Sequence, residues 1–396
     1  MKLLLRSLPV FLLAFSASAA EKPTIQKEDI FPLDTEHNHA SSIVRLPNGD
    51  LLACWYRGSG ERKADDVRVM GARKAKGAKQ WSAPFVLADV PDFPDTNPAL
   101  FVDSKGRVWL FWQTIVANLW ETAVTQIRIA SNPGREGAPK WDSNEPLFLK
   151  PKNIEAKAAG WARVQPEVKE HAEYKELMER AKDKYYSRMG WMGRAHPFEL
   201  KSGRVLLPLY SDGYSWSLMA ISDDGGKTWR GSEPIVGAGN IQPSVVEKKD
   251  GTLVAYMRDN GPPPKRVLMA ESKDQGETWS YATDSDIPNS GTGLEAIMLK
   301  DGRWLMINND TEKGRHSLAL TISDDEGKTW KWKRHIELDT RAERASSFHY
   351  PSITQAPDGT IHASYSVFLN HVPEGQPRKT IRHAQFNLAW VEEGDR

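Results

Sequence analysis

Short apolar runs recur along the chain, and a polar turn closes each one. Runs at 51–56, 97–102, 108–112, 205–210, 253–258, 304–308 and 361–367 are rich in Val, Ile, Leu and aromatic residues. Runs of this length and punctuation predict strands rather than helices. Asn48-Gly49, Asp250-Gly251, Asp301-Gly302 and Asp358-Gly359 each fall between a first and a second run, where a hairpin turn belongs. Gly106 and Gly203 close two further turns of the same kind. A third run follows each pair, at 67–72, 127–130, 217–221, 266–271, 317–322 and 380–389. The unit is therefore strand, turn, strand, strand, second turn, strand.

The second turn is an octapeptide in its clearest copies: SDDGGKTW at Ser222–Trp229, SKDQGETW at Ser272–Trp279 and SDDEGKTW at Ser323–Trp330. The steps from Trp229 to Trp279 to Trp330 are 50 and 51 residues. A period near this length suits one four-stranded propeller blade. Asp and Ser fold a tight turn by accepting backbone N–H groups, Gly supplies a backbone angle costly for other residues, and Trp buries a large ring. Eroded copies stand at 76–81 and 131–141. The octapeptide resembles the Asp-box of bacterial neuraminidases. That resemblance implies an all-β, sialidase-like β-propeller with its boxes on the outer rim in a structural role. Six units account for residues 21–396, so six blades are expected, with seven as the nearest alternative.

Two stretches break the pattern. From 156 to 188 the chain turns to Glu, Lys and Ala, and 167–188 predicts a charged helix or helix pair. This is either a solvated surface insertion or a wall over one face of the ring. Residues 1–20 have a basic start, an apolar run and a small-residue end, which predict a secretory signal peptide and a periplasmic or secreted protein. No later run approaches the ~20 apolar residues of a membrane span. The 21–33 segment is either a lead-in or a strand that closes the ring. The single cysteine, Cys54, excludes an intramolecular disulfide and sits in an apolar run as a core thiol. A net charge of +1 gives no reason to expect nucleic acid as a partner.

Propellers bring the inner ends of their strands to one shared pocket. Polar residues at such ends are His39, Asp66, Gln242, Arg258, Arg315 and Tyr350. The second half of the chain is similar to the sialidase superfamily at these positions. The resemblance implies that Arg258 and Arg315 are the second and third arginines of a carboxylate-binding triad, and that Tyr350 is the nucleophile. It also implies an acid/base carboxylate in the 57–66 loop, with Asp66 the first choice and Glu61 the second; Asp65 is also available. Arg57, which opens that loop, is counted with the substrate-binding residues. The chain departs from the family twice. His39-Ala40-Ser41-Ser42-Ile43 stands where the first arginine belongs, and Gln242 stands where a glutamate would activate the tyrosine. His37 and His39 have a metal-ligand spacing, but no further ligand set is evident, and neither metal nor cofactor is expected. His196 and His349 are structural or pocket histidines.

Three functions fit these residues. The first is an exo-glycosidase of sialidase type acting on a terminal acidic sugar. The second is a uronate-directed lyase in which His39 removes a proton and Tyr350 returns one. The third is a carbohydrate-binding propeller without catalysis. Each takes carbohydrate as its partner.

Overall fold

The computed structural model describes residues 21–167 and 172–395. The predicted signal peptide and residues 168–171 of the predicted helical stretch lie outside them. The strands form six antiparallel sheets arranged as a six-bladed propeller, each of four strands except the third, which has five.

Blade 1 comprises His37–Arg45, Leu51–Gly58, Arg68–Lys74 and Phe85–Ala88. Blade 2 comprises Asp95–Val102, Val108–Ile115, Ala123–Ala130 and Ser143–Pro146. In blade 3, two short strands, Met192–Gly193 and Phe198–Glu199, both pair with Val205–Ser211, and Trp216–Ser222 and Arg230–Gly231 follow. Blade 4 is Asn240–Glu247, Leu253–Asp259, Arg266–Ser272 and Thr283–Pro288. Blade 5 is Glu295–Met298, Trp304–Asn308, Ser317–Ser323 and Trp332–Leu338. Blade 6 takes Ser347–Gln355, Ile361–Phe368 and Lys379–Phe386 from the end of the chain and Ile25–Asp29 from its beginning. The 21–33 segment thus closes the ring. Ile25 pairs with Phe386, and Thr24 N–H donates to Asn387 Oδ1 at 3.1 Å.

Apolar faces of adjacent blades pack on one another. Trp109 and Phe111 of blade 2 share a cluster with Leu207, Leu209 and Trp216 of blade 3. Serine hydroxyls pin the inner strands: Ser352 accepts from Ile43 N–H (3.2 Å), Ser42 from Leu100 N–H (3.0 Å) and Ser244 from Ala296 N–H (3.0 Å). The boxes lock the outer parts. In the first, Asp224 accepts from the Thr228 amide and hydroxyl, and Ser222 Oγ accepts from Gly226 N–H at 2.8 Å. The other two repeat this around Asp274 and Asp325. A Cβ on Gly226 would stand 2.4 Å from Trp109 of the preceding blade, so glycine is required for the close approach as well as for its φ of +90°. The boxes follow Trp216–Ser222, Arg266–Ser272 and Ser317–Ser323, the last strand but one of blades 3, 4 and 5. They therefore lie on the face opposite the ends that gather the polar residues described below.

The insertion between blades 2 and 3 forms helices Ile154–Val164, Ala172–Lys182 and Lys184–Arg188. Trp161 packs edge-on against Trp216 at 6.4 Å between centroids, and Tyr214 OH donates to Arg180 O at 2.7 Å. The helices are thus docked on blade 3 beside its pocket-facing loop.

Candidate active site

Four inner strands share one local distortion. Ala40, Asn97, Gln242 and Tyr350 all have positive φ, between 45° and 55°, and each coincides with a register break. A proline follows in three of the four and cannot donate to the ladder, so a bulge forms there. Non-glycine residues keep such angles at a cost, and these bulges turn the side chains of Asn97, Gln242 and Tyr350 into a common cavity. Second strands end at the same place and add Tyr56, Tyr210 and Arg258, and the loops beyond them add Glu61, Asp212 and Asn260. The cavity holds about 190 Å³. A groove of about 740 Å³ at the seam of blades 1 and 6 is larger, but it lies at the hairpin-turn end, among Gly49, Lys76 and Asp358.

Tyr350 is the hub. Its hydroxyl receives Arg258 Nη1–H at 2.9 Å and the Gln242 amide at 3.5 Å. Guanidinium groups of Arg194 and Arg315 stand 5.0 and 5.7 Å from its ring centroid. Gly293 leaves room for the ring, since a Cβ there would lie 2.5 Å from it. Burial raises the phenol's pKa, but Arg258, Arg315 and the Gln242 amide outweigh it and hold the group below the usual tyrosine range. Gln242 therefore does what a glutamate carboxylate could not: it donates to the phenol oxygen.

Behind Tyr350 lie His39, at 4.7 Å between centroids, and His349. Burial first, then neighbouring positive groups, push both imidazoles well below the ordinary histidine value, so both are neutral. Arg315 Nη1–H donates to His349 Nδ1 at 2.8 Å, which puts the imidazole proton on Nε2, facing Ser347 Oγ at 2.7 Å. His39 packs against the tyrosine and contacts Ser366 Oγ through Nδ1 at 3.2 Å. Deeper in the channel, Glu295 accepts from His196 N–H (2.9 Å) and Ile353 N–H (2.6 Å) and pairs with His196 Nδ1 at 2.7 Å. His196 Nε2 faces Ser42 Oγ of blade 1 at 3.2 Å. This network ties blades 1, 3, 5 and 6 across the axis, a structural role for His196.

Of the carboxylates in the 57–66 loop, only Glu61 lines the cavity. Its Oε1 accepts from Tyr56 OH at 2.7 Å and pairs with His37 Nε2 at 3.0 Å. Burial raises its pKa, but His37 and Tyr56 lower it further and keep it a carboxylate. Asp66 is turned away: it is exposed and accepts from Ser59 N–H and Oγ–H, at 3.1 and 2.9 Å. Arg57 is engaged on the rim with Asp34 (2.8 Å) and Glu36 (3.0 Å). The structure thus assembles Tyr350, Arg258, Arg315, Gln242, Glu61 and, behind the ring, His39, but brings neither Asp66 nor Arg57 to the cavity.

Arg194, Tyr56, Tyr210 and Asp212 were not read from the sequence. Arg194 is buried, donates to Pro351 O at 3.1 Å, and supplies a third guanidinium from blade 3 in a chain without the blade 1 arginine. One signal pointed to it: Asn97, His196, Gln242 and Tyr350 each precede a proline at the start of a blade, and Arg194 lies two residues before His196.

His37, His39 and Glu61 place ligand atoms within 4.8 Å of one another, so Glu61 completes the set that the His-x-His spacing lacked. Arg194 and Arg315 nevertheless bear on His39, and a site ringed by guanidinium groups favours an anion over a dication.

Residues 49–363 match the BNR repeat-like domain family. A sialidase of Micromonospora viridifaciens is 29% identical over 185 residues, 44% of this chain and 26% of its own. A Bacteroides fragilis sialidase is 30% identical over 160 residues, 38% of this chain and 28% of its own. The chain thus spans about a quarter of the length of the curated relatives it matches. The intramolecular trans-sialidase of Ruminococcus gnavus superposes with a TM-score of 0.68 at 15% identity, over 92% of this chain and 98% of that one, a likeness of fold. The family match extends over more than half of the chain and agrees with the six blades and their boxes, so the protein belongs to the BNR repeat-like domain family, as a sialidase-like β-propeller.

Proposed function

We propose that this protein is an exo-acting glycoside hydrolase of sialidase type that releases a terminal acidic sugar from glycans, with Tyr350 as its nucleophile. The observation that carries this reading is the Tyr350 hydroxyl 2.9 Å from Arg258, with both of its hydrogen-bond partners, Arg258 and Gln242, as donors. Such a hydroxyl is stabilised as phenolate, and Arg258 and Arg315 can also bind a sugar carboxylate through paired hydrogen bonds. Arg258, Arg315 and the Gln242 amide favour the ionised oxygen, which lessens the need for an activating base. A cavity of about 190 Å³ suits one sugar ring at a chain end rather than an internal stretch of polymer. The named relatives are sialidases, which supports an acidic sugar as the substrate class. Export through a cleaved 1–20 segment completes the reading and places the enzyme where glycans are met.

The test is mass spectrometry of products from a panel of sialylated and uronate-containing glycans, with Tyr350→Phe alongside the wild type. An intact acidic sugar released by the wild type and not by the variant supports the reading. A product lighter by one water that also absorbs in the ultraviolet as an unsaturated sugar would mean elimination. Bound glycan without product would mean a binding protein.

A further inference from the structure

The groove at the seam of blades 1 and 6 holds about 740 Å³ against about 190 Å³ for the central cavity, and it opens on the opposite face. Its lining carries five cations, Lys27, Arg45, Lys74, Lys76 and Lys79, and two carboxylates, Glu28 and Asp358. Two of the cations are engaged within the fold: Lys27 pairs with Glu337 at 3.2 Å, and Lys74 with Glu28. The side chains of Arg45, Lys76 and Lys79 have no hydrogen-bond or ion-pair partner among the described residues. All three stand on the blade 1 side, where the Lys76 amide is fixed by Asp50 Oδ1 at 2.8 Å. Asp358 is exposed on the other side and accepts from Thr360 N–H at 3.0 Å. We propose that this groove is a second carbohydrate site, which holds a chain of acidic sugars by its sulfate or carboxylate groups and its hydroxyls. The proposal goes beyond the hydrolase reading and does not depend on it.

The blade 6 wall supplies partners for hydroxyls. His362, Gln385 and Gln26 are register partners on three adjacent strands, so their side chains form one row on one face. The amides of Gln26 and Gln385 have no partner among the described residues. His362 is only 8% exposed, and it is oriented from behind. His383 Nδ1–H donates to the Glu28 carboxylate at 2.9 Å, and His383 Nε2 accepts from His362 Nδ1–H at 3.0 Å. Burial lowers both imidazoles, His362 to about 4, so both are neutral and Glu28 fixes their tautomers. The relay leaves His362 Nε2 as an acceptor without a partner among the described residues, in a side chain that lines the groove. A nearly buried acceptor in that state calls for a donor, and a sugar hydroxyl is one.

The two walls together select the ligand. None of the described lining residues is Phe, Tyr or Trp, so the groove lacks the stacking platforms that hold single-stranded nucleic acid or the faces of neutral sugars. A membrane surface would call for large apolar side chains beside the lysines, and only Ala75 and Ala78 stand between Lys74 and Lys79. Spaced cations facing a row of hydroxyl partners suit a chain that repeats both anion and hydroxyl. Because the groove lies on the face away from Tyr350, a chain held there leaves the central cavity open.

The experiment is isothermal titration of the purified protein in about 0.15 M NaCl, where only charges within about 8 Å act strongly. The probes are a heparin tetrasaccharide, a galacturonate tetrasaccharide, maltotetraose and inorganic sulfate. Binding of either acidic tetrasaccharide, with maltotetraose inert and sulfate much weaker, is the expected result, and which of the two binds tells sulfate from carboxylate. Arg45→Gln should weaken that binding about 10–100-fold. Lys76→Ala and Lys79→Ala, at exposed positions that leave the fold intact, should each weaken it about 2–5-fold. Arg258→Met should leave it within twofold. Failure of both acidic tetrasaccharides to bind, sulfate binding as tightly as they do, or binding lost in Arg258→Met and kept in the Lys76 and Lys79 variants would overturn the proposal. Absence of hydrolysis on every glycan would overturn the hydrolase reading and leave the groove's binding unchanged.

Discussion

Replacing Arg258 with methionine separates the charge at Tyr350 from the packing around it. Methionine keeps much of the side chain's apolar bulk and removes the guanidinium that donates to the phenol oxygen at 2.9 Å. A hydrogen bond between charged partners contributes roughly 1.5–3 kcal/mol. Loss of that stabilisation makes the phenolate about 10–100-fold scarcer at any pH below its titration, at about 1.4 kcal/mol per tenfold. Arg315 and the Gln242 amide remain, so the phenol should move up without becoming inert. The same guanidinium is assigned to the substrate carboxylate, so kcat/KM should fall further than the phenolate population does. The assay is the near-ultraviolet absorbance of tyrosinate against pH, with Tyr350→Phe as the blank, together with kcat/KM on the released-sugar substrate. The sign follows from linkage. A phenol depressed in the folded state adds stability above its unfolded pKa, and that stability is lost as pH falls through the folded value. Arg258→Met should therefore narrow the stability difference between wild type and Tyr350→Phe at alkaline pH. An unchanged titration, or kcat/KM within threefold of wild type, would refute ionisation of Tyr350 by Arg258.

The other predictions concern the frame and export. Gly226→Ala forces a Cβ to within 2.4 Å of Trp109 at a φ of +90°, and should cost roughly 2–5 kcal/mol in urea unfolding. An exposed glycine such as Gly77, with open space around it, should cost less in the same assay. Glu295→Gln leaves His196 and two amides with a weaker acceptor and should destabilise by roughly 3–5 kcal/mol. Burial raises the Glu295 pKa, but His196 and the amides lower it further. Its stabilisation is present above the unfolded carboxylate pKa and lost as pH falls through the folded one, so the variant should show a flatter acid limb in a pH–stability curve. Edman or mass sequencing of the exported protein should find its N-terminus at the small-residue end of the 1–20 segment; recovery of the intact Met1 chain outside the cell would refute cleavage.

The frame was legible because it repeats. Ser222–Trp229 and its two copies mark the same turn at one period, and a turn built from its own side chains needs no distant partner. The helical stretch was visible for a similar reason, since its change of composition is local. The pocket is a different case. Tyr350, Arg258 and Arg315 were found through resemblance, at ends of strands that the turn spacing already placed. Arg194 reaches Tyr350 across 156 residues, and only the closed ring brings blade 3 against blade 6. Asp66 and Glu61 show the limit at short range. They share one loop, and nothing in their spacing tells which faces inward. The bonds from Ser59 turn Asp66 outward, while Tyr56 and His37 draw Glu61 in. Asp212 was invisible because only the closed ring brings its loop in blade 3 to the cavity that Tyr350 lines.

The most direct test of the central claim is to trap the sugar on the enzyme. A slow fluorinated acidic-sugar substrate is incubated with the wild type, and the digested protein is read by mass spectrometry. The expected result is a glycosyl adduct on the peptide carrying Tyr350, absent from Tyr350→Phe. Turnover of the natural glycan by Tyr350→Phe at the wild-type rate, or an adduct on any other residue, would contradict tyrosine as the nucleophile.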